Sequence, residues 1–397
     1  MTGIPVGLSR THGKTWREMK RCRELPHTEG TLTRAGELPR PGTPRYARPM
    51  RFGLMASNPL EWLLVKFNLI ARPVLDTQVA GTYVHVIMAA VKVGLFDALA
   101  AGPATAEKIA AGCGTHPDST AKLLPALAAS GYLRARGDQY ELSLLSRKWL
   151  VTTSPHAVND KLLLQFYELG LMQRADEYLR SGKPLDFHAG MNDDVWDSYQ
   201  RGMRCLTTGQ TSMVAKAVPV PEGATDMLDI GGSHGAYSVA LCRRHPSLRA
   251  VVFDLPDAVR HAAPLLAEEG MGDRVRHQAG NALTDDFGEE CYDAVVIIGV
   301  AHHFSDAQNR ELTAKVARAL RPGGVYTVAE FPAASGEGKT QQLAALRDFY
   351  FALASESGTW SPSQIASWQR AAGLRPAKPV RLAASGGLNL QSGHKPR

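Results

Sequence analysis

The sequence predicts an α/β protein: a doubly wound sheet preceded by a mainly helical domain. Three observations predict it. The second half alternates apolar runs with helical segments, as in "TDMLDIG", "AYSVALCRRH", "RAVVFDL" and "AVRHAAPLLAEEG". Its first strand runs into a glycine-rich turn, "LDIGGSHG". The first half instead shows helical spacing of apolar residues and a single hairpin pattern.

The chain opens with a basic leader. Residues 1–50 hold ten basic and four acidic side chains, which accounts for +6 of the net charge of +7 and leaves the rest near neutrality. Rich in Arg, Pro, Gly and Thr and without an apolar face, the leader is expected to be disordered. Four glutamates and the lack of an apolar core argue against a targeting peptide, and a true start at Met50 or Met55 is an equal alternative.

Residues 51–157 form the first expected domain. Pro59 to Ala100 reads as helical, with Val84, Met88, Val91 and Leu95 at spacings of three and four. A short helix "TAEKIAAGCG" follows, then a helix opened by Asp118 and closed by Gly131, then a two-stranded hairpin turning at Gly137-Asp138. Helix, helix and hairpin make a winged helix. Its second helix would enter a DNA groove, but it offers only Lys122 as a cation, so no nucleic-acid partner is expected. The most apolar stretch, Gly81 to Ala101, is interrupted by His85, Lys92 and Asp97, so no membrane span is expected either.

Residues 158–218 are again helical and rich in large side chains, among them Trp196 and Met203, which are candidates for the wall of a substrate pocket. "AVPVPEG" breaks that helix and places the boundary of the α/β domain, residues 219–397. Five cysteines lie scattered without a C-x-x-C pair, which points to a reducing cytoplasm and to no metal site.

In a doubly wound sheet the ligand sits beyond the carboxyl ends of the strands, where the first strand turns into its helix. The dinucleotide pattern G-x-G-x-x-G fails here, because positions 233 and 236 after Gly231 are Ser and Ala. An acidic strand end followed by close glycines suits a ligand with a cationic amino-acid end and no pyrophosphate. Gly231 and Gly232 would admit close backbone approach, with Gly235 next in the turn, and Asp229 would attract an ammonium or sulfonium. Asp254 ends the second strand and can accept both hydroxyls of a ribose. S-adenosylmethionine carries all of these groups.

With "VGLFDAL", "LDIGGSHG", "VVFDLPDAV", "AHHFSDAQN" and "ALRPGG" in this order, the chain from about Leu60 to Lys395 resembles the class I S-adenosylmethionine-dependent O-methyltransferases that carry an N-terminal winged-helix dimerisation domain. The resemblance implies a Rossmann-like sheet, a homodimer and a small aromatic substrate. It also implies roles. His302 in "AHHFSD" takes the place of the catalytic base and Glu330 that of a glutamate orienting it. Phe304 takes the place of an aromatic against adenine, and Leu255, Asn281 and Ala282 complete the cofactor contacts, Asn281 standing where the family has an acid. A second base-orienting glutamate is replaced by Thr359, with Glu356 nearby in sequence.

His302 and His303 are expected to end a strand, so that only one of them faces the cofactor. A histidine of ordinary pKa ~6.5 facing a phenol near ~10 leaves a gap of about 5 kcal/mol, within reach of general-base help. An aliphatic alcohol is far less acidic, so a phenolic or enolic hydroxyl is expected. Phe349, Tyr350 and Trp360 join Trp196 and Met203 as pocket candidates. The rival readings are a homologue that binds the cofactor without methylating and a winged-helix regulator.

Overall fold

The computed structural model describes residues 53, 56, 58–331, 342–382 and 387–397. The basic leader and its expected disorder lie outside the described residues.

Helix α1, Pro59–Lys66, starts where the Asn58 side chain accepts the Glu61 N–H at 2.9 Å and Pro59 presets the first turn. Helix α2 runs from Arg72 to Lys92 and contains one wider π turn at Leu75–Val79. At 21 residues it is long and apolar enough, by length and composition, to cross a bilayer, against the expectation from sequence. The apolar window was sought from Gly81 onward, whereas the helix begins at Arg72 and stops before Gly94, whose φ of 71° redirects the chain into α3, Leu95–Ala98. Only the C-terminal half of α2 is buried, through Ile87, Met88, Ala90 and Val91.

Strand β1 is Ala104–Thr105, α4 is Ala106–Cys113 and α5 is Pro117–Ala129. Helix α5 is preceded by His116 at the cap and has Pro117 in its first turn, so Asp118 sits inside the helix and does not open it. Strands β2, Leu133–Arg136, and β3, Gln139–Leu142, form the hairpin, and β1 pairs with β3 to make a three-stranded wing where two strands were expected. Phe96, Leu99, Ile109, Leu124 and Leu127 fill a core of this region's own. Helix α6, Leu144–Trp149, closes it.

Four helices follow: α7, Asn159–Met172; α8, Ala175–Ser181; α9, Asp193–Thr207; and α10, Thr211–Ala217. Beyond them lies the sheet. Strands β4, Asp226–Ile230, β5, Arg249–Asp254, β6, Val275–Ala279, β7, Tyr292–Ile298, and β8, Leu320–Glu330, are parallel, with α11, Ala236–Arg244, α12, Pro256–Ala267, and α13, Asp306–Ala319, as crossovers. The chain then forms α14, Gln342–Ala354, and α15, Pro362–Ala371, before β9, Arg375–Pro376, β10, Val380–Leu382, and β11, Leu388–His394. The sheet order is β10-β11-β8-β7-β4-β5-β6, and β11 runs antiparallel to β8, so the sheet is mixed at that edge. Two apolar cores, one on each face, account for the continuous apolar runs of the central strands.

Candidate active site

The parallel strands all end at one rim, and there a cavity of about 650 Å³ opens. It is walled by the turn after β4, the ends of β5 and β7, helix α9 and helix α14. Asp229, Gly231, Gly232, Asp254, Leu255, Asn281, Ala282, His302, Phe304, Trp196, Met203 and Tyr350 line it.

At the β4 turn the glycines are dictated by protein atoms. Gly231 has φ 69°, and a Cβ there would lie 2.7 Å from Val300; at Gly232 it would lie 2.6 Å from the Asp229 carboxyl carbon. Only glycine fits, so the backbone of the turn is bare on the cavity side as well. Gly235, with φ 76°, caps α11. Asp229 is almost wholly buried and accepts the Ser238 hydroxyl at 2.6 Å; burial pushes its carboxyl up to about 7. Asp254 accepts the N–H groups of Ser233 and Leu255, each at 2.8 Å, while desolvation pushes it up to about 6. Two protonatable carboxyls facing one cavity are suited to a cationic, hydroxyl-bearing ligand, whose charge would favour their ionised forms.

Ser233 was missed by the sequence reading. Its N–H reaches Asp254, its carbonyl accepts from His277 Nε2 at 2.8 Å, and its hydroxyl donates to Gln200 Oε1 on α9. Asn281 is less free than expected: its Oδ1 accepts the Leu283 N–H at 2.9 Å, so the acceptor that replaces the family's acid already serves a local turn.

Strand β7 ends at Ile298, and His302 and His303 sit on the 3₁₀ turn Ala301–His303. The alternation expected at a strand end therefore does not apply, and both rings line the cavity, 4.4 Å apart. Asn309 and Trp360 hold this turn by donating to the Ala301 carbonyl at 3.0 Å and 2.9 Å. Trp360 thus supports the site from behind and does not line it.

Glu330, fully buried at the end of β8, accepts from His302 twice: from the backbone N–H and from Nδ1, at 3.1 Å each. A carboxylate partner fixes the proton on Nδ1 and leaves Nε2 as the acceptor. The imidazole is stacked on Phe351, with centroids 3.7 Å apart and planes at 15°. His303 Nδ1 bonds Ser355 Oγ at 2.7 Å, and His188 lies 5.3 Å beyond it, stacked near Trp196. Burial lowers the pKa values of both His303 and His188, so they offer neutral polar atoms.

Helix α14 presents Arg347, Tyr350, Phe351 and Ala354 to the cavity, positions three or four apart on one face. Phe349 points the other way and packs on Tyr178, with centroids at 6.0 Å, which removes it from the pocket. Thr359 does not reach His302. Its N–H and hydroxyl both donate to Asp348 at 2.7 Å, tying the loop to α14, and Glu356 is exposed. Phe351, Ser233, Gln200 and His188 come to the site only through tertiary packing and carry no local signal in the sequence.

A glycine turn with two strand-end carboxyls, next to a buried histidine held by glutamate, defines an α/β enzyme that transfers a group from a nucleoside-bearing donor. The comparisons with known proteins agree. The description "O-methyltransferase domain" matches residues 179–375, and "O-methyltransferase dimerisation domain" matches residues 80–152. A 3-hydroxy-5-methyl-1-naphthoate 3-O-methyltransferase from Streptomyces sahachiroi is 27% identical over 317 residues, covering 78% of this chain and 91% of that protein. The acetylserotonin O-methyltransferase of Mus musculus is 30% identical over 283 residues, 65% of this chain and 72% of that protein. The structure of human N-acetylserotonin methyltransferase in complex with SAM superposes with a TM-score of 0.72 at 20% identity, over 86% of this chain and all of that one. The chain belongs to the O-methyltransferase family, whose members depend on S-adenosylmethionine.

Proposed function

We propose that this enzyme methylates a phenolic or enolic hydroxyl of a small aromatic or polyketide-type molecule, with His302 as general base. The observation that carries the reading is the His302–Glu330 pair, in which Nδ1 is anchored and Nε2 is left to the cavity. S-adenosylmethionine supplies the methyl group as an electrophile on sulfur. The residues present fit it: the bare turn at Gly231 and Gly232, Asp229 for the cationic amino-acid end, and Asp254 for ribose hydroxyls, while Gly235 faces Leu266 and shapes the turn without lining the cavity. Leu255, Asn281, Ala282 and Phe304 take the adenine side.

His302 Nε2 accepts the proton of the acceptor hydroxyl, and Glu330 stabilises the imidazolium that results. Phe351 and the 3₁₀ turn keep the ring from rotating, so much of the acceleration comes from position. Trp196, Met203 and Tyr350 shape the acceptor end. The naphthoate-methylating relative supports an aromatic acceptor of this size.

A division of labour follows: residues 51–157 dimerise, 158–218 close the acceptor end and 219–397 bind the cofactor. The match to a dimerisation domain supports burial of the apolar face of α2 in a homodimer and not in a bilayer. Incubation with methyl-labelled S-adenosylmethionine and a panel of phenols tests the reaction: S-adenosylhomocysteine and a methyl ether are expected in equal amounts. Retention of the label on sulfur with every phenol, despite tight cofactor binding, would refute it.

A further inference from the structure

We infer that Arg347 is the anchor for an anionic group on the acceptor, so that the preferred substrate is a hydroxylated aromatic carboxylic acid. This rests on the proposed methyl-transfer reading and narrows it.

Arg347 is half-buried on the cavity face of α14, one helical turn before Phe351, the ring on which His302 stacks. Its guanidinium carbon lies 4.5 Å from the centre of the Phe331 ring, and that ring lies 6.4 Å from His302. The guanidinium and the base therefore neighbour the same aromatic ring and line the same cavity, within the span of one aromatic hydroxy acid.

No carboxylate among the described residues makes an ion pair or hydrogen bond with Arg347. This sets it apart. The other cation of the cavity, Lys161, is paired with Glu168. The charge of Glu330 is felt at Arg347, but that carboxylate is engaged by the His302 N–H, the His302 Nδ1 proton and the Phe331 N–H at 2.8 Å and makes no ion pair with Arg347. The contact with Phe331 leaves the in-plane N–H donors without a hydrogen-bond acceptor among the described residues. A half-buried guanidinium on a cavity wall with no protein acceptor among the described residues is available to a ligand, and a planar carboxylate is the group its fork matches. Burial lowers the Arg347 pKa, partly offset by the charge of Glu330.

The test titrates the full chain, saturated with S-adenosylhomocysteine, with 3-hydroxy-2-naphthoate and with 2-naphthol, in the wild type, Arg347→Met and Arg347→Lys. The wild type is expected to bind the acid at least ~10-fold more tightly than the naphthol, Arg347→Met to erase that preference while leaving the naphthol affinity within about twofold, and Arg347→Lys to keep part of it. Equal affinity for the two compounds in the wild type, a preference that survives in Arg347→Met, or failure to bind either this acid or a salicylate would overturn the inference. The first titration, with S-adenosylhomocysteine alone, separates the two levels. Its failure in the wild type removes the methyltransferase reading, whereas success followed by no preference for the acid removes only the role of Arg347. Intact S-adenosylhomocysteine binding by the variants shows that they are folded.

Discussion

The two ends of the cavity are built by opposite means. The end proposed to hold the cofactor is made by short stretches of consecutive chain, residues 229–234, 254–255 and 280–282, each placed by a neighbouring strand of one sheet. The acceptor end is made by side chains from α7, α9, α14 and the 3₁₀ turn, which are far apart in sequence and meet only by packing. The difference shows where chemical identity is stored. In the proposed reading, backbone conformation with a few obligatory residues selects the donor, while side-chain assembly selects what receives the methyl group.

The histidine between the two ends provides the most severe test of this contrast. His302→Ala is expected to lower kcat by about 10²–10⁴ while S-adenosylhomocysteine affinity changes less than ~2-fold, measured by turnover and calorimetry on the same preparation. A comparable loss of cofactor affinity would mean that the ends are not separable. Gly232→Ala should act in the reverse sense, because the new Cβ meets the Asp229 carboxyl at 2.6 Å and Val252 at 2.8 Å. Overpacking of this kind costs about 1–3 kcal/mol, so up to ~100-fold weaker cofactor binding is expected. Unchanged affinity would show that the turn tolerates a displacement of Asp229.

A dependence on pH sharpens the comparison further. With Asp229 near about 7 and Asp254 near about 6, both raised by burial, the free protein holds protons there as pH falls. A cationic ligand requires the ionised forms, so affinity should fall about tenfold between pH 8 and pH 6. Calorimetry in two buffers of different ionisation enthalpy should detect proton release on binding at pH 6. The same raised values imply that the unliganded protein binds more protons folded than unfolded between about pH 4 and 7, so its stability should decline as pH rises through that window. Denaturant melts at both ends of it check the sign.

The smallest expected effect separates two adjacent rings. Phe351→Ala should lower kcat/KM about tenfold by freeing the His302 ring, whereas Phe349→Ala should cost stability and leave kcat/KM within ~2-fold. Kinetics and thermal melts on both variants decide it.

The cofactor end was legible in the sequence because each requirement there is local. A glycine with positive φ, an acidic strand end and a parallel strand's apolar run leave their marks within a few residues. Asp229, Asp254 and the glycines could be read in that way. The other end shows in the sequence only as composition: Trp196, Met203 and Tyr350 line the cavity and Phe349 does not, because an aromatic run on a helix does not reveal which of its faces is inward. The histidine pair failed for a different reason. Gly299, with φ 68°, ends the strand early, and the 3₁₀ turn that follows replaces alternation with a geometry in which neighbours share a side. The most apolar stretch of the sequence, Gly81 to Ala101, is offset from helix α2: it leaves out residues 72–80 and runs past Lys92 to take in Asp97, which hides the helix's length and apolar character.

The hydrogen bond from Ser233 to Gln200 joins the two ends, since one residue sits in the glycine turn and the other on α9, between Trp196 and Met203. The two ligands therefore share one mechanical element, and occupancy of either should be felt by the other. By reciprocity, whatever factor the donor contributes to acceptor affinity, the acceptor returns to the donor. Saturation with either ligand should therefore change the Kd of the other by one common factor, and Gln200→Ala should bring that factor towards one.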